Sequence, residues 1–154
     1  MSEPTIDRRE LLAKLIPNPD DYLIISGLAG AARDAAALTE DGDNLFTMAG
    51  AMGAAVSMGL GVAMSAPDRQ VLVITGDGEL MMNMGGLATA ASAAPKNLSI
   101  ICIDNGVHAE TGGQLGHTSR GTDLAMVAQG TGLTSVMKVT NDTEIDEAAK
   151  FLTG

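Results

Sequence analysis

The sequence is poor in the residues that usually stabilise small proteins. Its 154 residues include one cysteine, no tryptophan, one tyrosine and two phenylalanines. The single Cys102 excludes a disulfide framework and a cysteine-based zinc site, and its apolar surroundings predict a buried thiol. A core with so few aromatic rings must pack from Ala, Met, Leu, Ile and Val, and it buries less area per residue. We therefore expect a partner to cover additional surface.

Positive charge is scarce as well. The chain has 9 Lys and Arg residues against 19 Asp and Glu, a net charge of -10, which argues against binding nucleic acid through its phosphates. The first ten residues, MSEPTIDRRE, are too polar for a signal peptide. The apolar stretch 45–66 is interrupted by glycines and serines, unlike a membrane-spanning helix. We expect a cytoplasmic protein that binds neither nucleic acid nor membrane.

Strand-like and helix-like segments alternate along the chain, without an internal repeat or a linker. This alternation predicts an α/β fold with three layers, α-β-α, around a mainly parallel central sheet, and a single domain over residues 1–154. Predicted strands cover residues 22–26, 45–48, 71–75, 98–104 and 135–139. Predicted helices cover residues 7–15, 53–65, 84–93, 123–129 and 143–151, with a further Ala-rich helix ending near residue 38.

Polar residues follow two of the buried strands at the point where each strand ends. Gly76-Asp77-Gly78 follows strand 71–75, and Asn105-Gly106 follows strand 98–104. Ligands of parallel sheets bind beyond the carboxyl ends of the strands. A carboxylate and an amide oxygen from neighbouring strand ends suit Mg²⁺, and the next helix can direct its first amides at a phosphate. Asp-Gly and Asn-Gly are also common turn dipeptides, so the residues alone leave two ordinary turns as an equal alternative.

The two motifs together resemble a known signature. Gly76-Asp77-Gly78, then 26 residues, then Asn105 is similar to the signature of thiamin diphosphate (ThDP) enzymes. The upstream run AGAMGAAVSMGLGVAMSAPDRQVLVITGDG resembles their pyrophosphate-binding (PP) domain, and the resemblance extends over about residues 20–140. The loop NGVHAETGGQLGHT, residues 105–118, most resembles the sulfopyruvate and phosphonopyruvate decarboxylases. This resemblance implies the ThDP-binding fold and a β subunit of a two-subunit 2-oxo acid decarboxylase, which forms an aldehyde and CO₂ from a sulfo- or phosphonopyruvate-like substrate.

The resemblance also implies roles for individual residues. Mg²⁺ would be bound by the side chains of Asp77 and Asn105 and by the backbone carbonyl of Val107. His108 and His117 would move protons in a loop over the site, although both also suit an exposed loop. For Met52, plain core packing is an alternative to a role in ThDP binding. The residues implied in ThDP binding are Gly27, Gly50, Met52, Gly76, Asp77, Gly78, Glu79, Asn105 and Val107.

Two of these implied roles use the backbone: Gly78 and Glu79 would donate N–H groups to the diphosphate, and the Gly50 carbonyl would accept from the aminopyrimidine. Glu79 stands where many relatives carry serine, so its carboxylate must turn away from the diphosphate or reach a cation. Position 108 is histidine where many relatives carry an aromatic residue.

One group that ThDP enzymes require has no counterpart in this sequence. ThDP enzymes use a glutamate of a separate pyrimidine-binding (PYR) domain to bond the cofactor N1′ atom, and Glu10, Glu40, Glu110 and Glu144 lie in other contexts. The resemblance therefore implies an obligate PYR-type α subunit that supplies this glutamate, and a small anionic 2-oxo acid as substrate. Alternatives are a carboligase of the acetolactate synthase type, an oxidative 2-oxo acid decarboxylase, or an assembly module with a vestigial site. Gly59-Leu60-Gly61 weakly suggests a dinucleotide-binding domain as a further alternative.

Overall fold

The computed structural model describes residues 6–154, with the backbone alone for Arg9. Residues 1–5 of the polar segment MSEPTIDRRE therefore lie outside the described residues. The helices are α1 (Arg8–Leu15), α2 (Ala29–Thr39), α3 (Ala55–Ser65), α4 (Asp77–Met82), α5 (Gly85–Ala93), α6 (Leu124–Gly130) and α7 (Ile145–Thr153). The strands are β1 (Tyr22–Ser26), β2 (Leu45–Thr47), β3 (Gln70–Gly76), β4 (Leu98–Ile103), β5 (Val107–His108) and β6 (Gln114–Leu115). Four short 3₁₀ turns complete the elements of this part of the chain.

The central sheet is parallel, with the strand order β2-β1-β3-β4. From β1 the chain crosses to β2 on one side, and from β3 it crosses to β4 on the other. The direction of winding therefore reverses between β1 and β3. The interior of β3 reads Val-Leu-Val-Ile and is fully buried, as expected for a parallel strand covered on both faces.

Two apolar cores lie on opposite faces of this sheet. The first packs α1, α2 and α7 against Ile24 and Leu72, and the second packs α3, α5 and α6 against Ile25 and Val73. Side chains of successive strand residues point to opposite faces, so each strand contributes to both cores. The predicted three-layer α/β fold with a parallel sheet is confirmed.

Helix α3 approaches the sheet closely because one of its residues has no side chain. A β-carbon at Gly59 would overlap the Cγ2 atom of Val73, whereas one at Gly61 would meet nothing within 4 Å. The pair lies in the interior of α3 and not in the turn after a strand. The dinucleotide-binding alternative requires the latter position, and the structure does not support it.

Three predictions about local structure need correction. Residues 135–139 pair with no strand in the described part of the chain; Met137 and Val139 instead pack against the first core, which explains their apolar pattern. Asp77 and Gly78 do not form a turn but begin α4, and neither Gly76 nor Gly78 has a positive φ. Cys102 is partly buried, because β4 is the last strand of the four in its sheet.

The described part of the chain contains no helix that is both long and apolar enough to span a bilayer. The apolar stretch 45–66 is divided between β2, an irregular segment and α3, whose 11 residues are far fewer than the roughly 20 that a bilayer requires.

Candidate functional site

The candidate site lies at the carboxyl edge of the sheet, where β3 and β4 end side by side. Asp77 begins α4 directly after β3 and is only 5% exposed. Gly76 pairs with Ile103, so Asp104 and Asn105 follow on the adjacent strand at the same edge. The parallel register of β3 and β4 therefore brings the two predicted metal-ligating segments to one place.

A threonine links the two strand ends. The Thr118 hydroxyl donates to Asp104 Oδ1 at 2.7 Å and lies 3.4 Å from Asp77 Oδ2. Beside it, an open cleft of about 260 Å³ is lined by Asp104, Asn105, Gly106, Thr118 and Ser119. Sequence reasoning did not single out Thr118, because only the folded loop carries it back across the strand ends.

The loop after β4 contains regular secondary structure. It contains a two-stranded antiparallel hairpin, β5–β6, in which Val107 faces Leu115 and His108 faces Gln114. An ion pair of 2.7 Å between Arg33 of α2 and Glu110 ties this hairpin to the body of the fold, although both side chains are exposed. His108 of this hairpin lies against Gly78 at the start of α4, so the hairpin reaches the end of β3.

The two predicted catalytic histidines differ in their surroundings. His108 is half-buried, and its imidazole packs on Gly78, where a β-carbon would lie 2.7 Å from the ring atoms Cε1 and Nδ1. Gly78 is therefore needed for space and not for its φ angle. His117 is exposed, and its backbone carbonyl accepts from the N–H groups of Arg120 and Thr122. The structure brings His108 into the candidate site and leaves His117 at its rim.

The predicted metal ligands are present but only one of them is buried. Asn105 is exposed, and its Oδ1 accepts from the N–H of Val107 at 3.0 Å, so the amide now closes its own turn. The described residues contain no group of three or more His, Cys, Asp or Glu side chains arranged to hold a metal. The expected ligand set consists of one carboxylate, one side-chain amide and one backbone carbonyl, so it is not a group of that kind. Asp77 and Asn105 lie at neighbouring strand ends, as this set requires.

The electrostatics of this edge are strongly negative. Burial first, and then the carboxylates of Asp77, Asp104 and Glu79, raise the pKa of the Cys102 thiol to about 12. Neither Asp77 nor Asp104 forms an ion pair with any side chain that the structure describes. Carboxylates without a basic partner favour a bound cation, so the residues at this edge fit a divalent metal ion.

The remaining predicted cofactor residues form a second group at the neighbouring strand ends. Gly27 follows β1, and its N–H donates to the Ile74 carbonyl at 2.8 Å. Gly50 has a φ of 87° and open space where a β-carbon would be. Met52 is 46% exposed, which excludes plain core packing as the reason for its presence.

Glu79 does not point towards the cleft. It is 5% exposed, and its Oε2 accepts from Leu28 N–H at 3.1 Å and from the Thr75 hydroxyl at 3.0 Å. Its other oxygen, Oε1, is buried without a hydrogen-bond partner among the described residues. The carboxylate therefore turns away from the N–H group that its own residue was predicted to offer. The contact with Leu28 spans 51 residues, and no local pattern in the sequence signals it.

This fold defines a class of proteins: three-layer α/β domains with a parallel central sheet and polar residues at the carboxyl ends of its strands. Residues 29–153 match the family described as thiamine pyrophosphate enzyme, C-terminal TPP binding domain. The chain belongs to this family, which confirms the predicted resemblance.

Individual relatives agree with the family. The chain is 36% identical over 129 residues to the sulfopyruvate decarboxylase subunit beta of Methanocaldococcus jannaschii. This match covers 84% of this chain and 68% of the relative. It is 41% identical over 138 residues to the phosphonopyruvate decarboxylase of Streptomyces viridochromogenes, covering 90% of this chain and 33% of that one. The chain thus spans about two thirds of the first relative and a third of the second. Both relatives are named as decarboxylases, the enzyme class predicted from the sequence.

A solved structure shares the fold. The thiamine diphosphate-dependent 4-hydroxybenzoylformate decarboxylase of Rhodococcus jostii RHA1 superposes on all of this chain with a TM-score of 0.77, over 32% of its own length. The sequence identity is 20%, so this likeness supports the ThDP-binding fold and nothing finer.

Proposed function

We propose that this chain is the PP-type β subunit, a single domain, of a two-subunit ThDP-dependent decarboxylase. Its substrate is a 2-oxo acid that carries a second anionic group, such as a sulfo or phosphono group on carbon 3, and its products are the aldehyde and CO₂. The observation that carries the proposal is the juxtaposition of Asp77 and Asn105 on adjacent strand ends, within a chain that is similar to two decarboxylases of such acids.

The chain's own residues would hold the cofactor in two groups. Asp77, Asn105 and the carbonyl of Val107 would bind Mg²⁺, supported by the unpaired negative charge at this edge. Backbone groups of Gly76, Gly78, Glu79 and Gly27 would face the diphosphate, and Gly50 and Met52 the aminopyrimidine and the middle of the cofactor. When bound, ThDP supplies the electron sink that makes loss of CO₂ from a 2-oxo acid feasible.

Two histidines are proposed to move protons. The His108 ring lies against the first turn of α4, so it is close enough to the cleft to exchange a proton with a bound substrate. His117 at the rim would exchange protons with solvent, and the exposed Arg120 is available to an anionic substrate group. An imidazole can both accept and donate a proton, which suits both transfers.

The proposal includes a PYR-type α subunit, because each described glutamate already has another environment. Glu79 is buried against Leu28, Glu110 pairs with Arg33, and Glu144 closes the capping box before α7. Glu10 pairs with Lys14 on α1, Glu40 ends α2, and Glu147 is exposed on α7. We therefore expect the glutamate that contacts the cofactor N1′ to come from the partner.

The decisive experiment combines cofactor binding with product analysis. The chain is co-expressed with a PYR-type chain, and binding of ThDP with Mg²⁺ is measured by calorimetry for the wild type, Asp77→Ala, Asn105→Ala and the exposed control Asp68→Ala. We expect Asp77→Ala and Asn105→Ala to weaken binding by more than about 100-fold, and Asp68→Ala to leave it unchanged. Equal affinities in all four proteins would refute the metal assignment.

The same preparations test the reaction. CO₂ and aldehyde are measured with sulfopyruvate, phosphonopyruvate and pyruvate, for the complex and for this chain alone. We expect release from one of the first two acids by the complex only. Equal rates for the isolated chain would refute a shared site, and condensed products without free aldehyde would identify a carboligase instead.

A further inference from the structure

The crevice between the carboxyl ends of β1 and β3 is the point where the winding of the sheet reverses. In open parallel sheets this is the position at which ligands bind. Here it is bounded by Ser26, Gly27 and Leu28 after β1 and by Thr75 and Gly76 at the end of β3. Leu28 also precedes α2, an 11-residue helix, so its N–H belongs to the group of amides that attract an anion.

The Glu79 carboxylate already fills this crevice. Both crevice walls bond to its Oε2, the Leu28 N–H from the β1 side and the Thr75 hydroxyl from the β3 side. A β-carbon at Gly27 would overlap the carboxylate, so the backbone lies directly upon it. The second oxygen, Oε1, has no hydrogen-bond partner in the described part of the chain, although the residue is only 5% exposed.

We infer that the Glu79 carboxyl group, seated in this crevice, lowers the affinity of the site for the cofactor diphosphate. It holds the Gly27–Leu28 turn in place, and it occupies the Leu28 amide, which a phosphate oxygen would otherwise use. This inference rests on the proposed function. It makes Glu79 a positioning residue, and it assigns cofactor retention to Asp77 and its metal ion instead of to the β1 turn.

Two variants separate the effect of the hydrogen bond to Leu28 from the effect of the charge. Glu79→Gln keeps a side-chain oxygen for Leu28 and Thr75 but removes the charge, whereas Glu79→Ser removes both the charge and the bond to Leu28. The control is Glu147→Gln, which makes the same change in net charge at an exposed position on α7. Circular dichroism and thermal unfolding verify that each full-length variant is folded.

The first readout is binding, measured by calorimetry with ThDP and Mg²⁺ and, separately, with inorganic diphosphate and Mg²⁺. Freeing the Leu28 amide for a phosphate oxygen is expected to tighten binding about tenfold in Glu79→Ser, whereas Glu79→Gln, which keeps that amide bonded, and Glu147→Gln should stay within about twofold of the wild type. Unchanged or weaker binding in Glu79→Ser, or equal tightening in Glu79→Gln, with a wild type that binds, would overturn the inference while leaving the proposed function intact.

The second readout is hydrogen exchange at the Leu28 amide in the unliganded chain, which needs no cofactor. Glu79→Ser is expected to speed this exchange about tenfold or more, and Glu79→Gln to change it little. A wild-type rate in Glu79→Ser would overturn the role of Glu79 in the turn. If no protein binds either ligand, the proposed function and the affinity effect both fail, and the exchange rates still decide whether Glu79 holds Leu28.

Discussion

The two helical layers that cover the sheet present opposite surfaces. Helices α1, α2 and α7 contain nine charged residues, four in α1, two in α2 and three in α7. Helices α3, α5 and α6 contain none, although α3 exposes Met58 and Met64 and α6 exposes Met126. Both layers bury a comparable apolar face against the sheet, so the difference lies entirely in what each layer offers to its outer surroundings.

This contrast indicates which of the two layers contacts a partner subunit. Exposed apolar side chains without charged neighbours are unusual on a surface that faces only water, and they mark interaction sites. Methionine suits such a surface because its flexible thioether adapts to the groups that contact it. Met52 and Met82, the latter at the end of α4, are exposed as well. We therefore expect the PYR-type subunit to contact this layer and not the layer of α1, α2 and α7.

The largest effect is expected from placing a charge on the uncharged layer. Met58→Asp should weaken association with the PYR-type chain by about 100-fold, because an unpaired carboxylate would have to be desolvated at the interface. Phe151→Asp, on the exposed part of α7, is the matched control and should leave association unchanged. Analytical ultracentrifugation measures both. The reverse result would move the interface to the other layer.

A smaller effect is expected from the polar groups that the two layers bury. Asn97 is 8% exposed, and its amide nitrogen lies 3.1, 3.1 and 2.8 Å from the carbonyls of Ala63, Ala66 and Arg69, where it closes the end of α3. Asn97→Ala should lower the free energy of unfolding by about 2–3 kcal/mol, because buried carbonyls lose their donor.

The counterpart at the edge of the first layer is Asn44. It donates to only two carbonyls, those of Pro19 and Tyr22, and it is half-buried. Asn44→Ala should therefore cost about 1 kcal/mol, since water reaches the carbonyls that it leaves. Urea denaturation measures both variants. Equal losses would show that burial does not set the difference between them.

The smallest effects are expected from the ion pairs of the charged layer. Arg8 Nε lies 2.9 Å from Asp34 Oδ2, and the Asp34 side chain is 9% exposed, so Arg8→Met should cost about 1 kcal/mol. Lys14→Met breaks a 3.5 Å pair with Glu10 between two largely exposed side chains and should cost less than about 0.5 kcal/mol. In 1 M salt the Lys14 effect should vanish and the Arg8 effect should persist. Identical salt responses would contradict this ranking.

Much of the fold follows from local sequence patterns. The apolar run of β3 predicts a strand buried on both faces, and the polar residues directly after β3 and β4 predict a site at one edge of the sheet. These predictions succeed because burial of an apolar segment and the end of a strand are recorded in neighbouring residues. Residues 135–139 show the limit of this reasoning, because an apolar pattern indicates burial but not whether the backbone finds a strand to pair with.

Local sequence patterns are enough to predict the layers, the four strands of the central sheet and the family to which the chain belongs. The direction of Glu79 and the folding of the loop that carries His108 onto Gly78 depend on the tertiary structure. The physical reason is the range of the contacts involved. A buried carboxylate turns towards whichever donors lie nearest, and for Glu79 one of these donors is 51 residues away, in the turn after β1, which only the parallel pairing of β1 and β3 brings beside it.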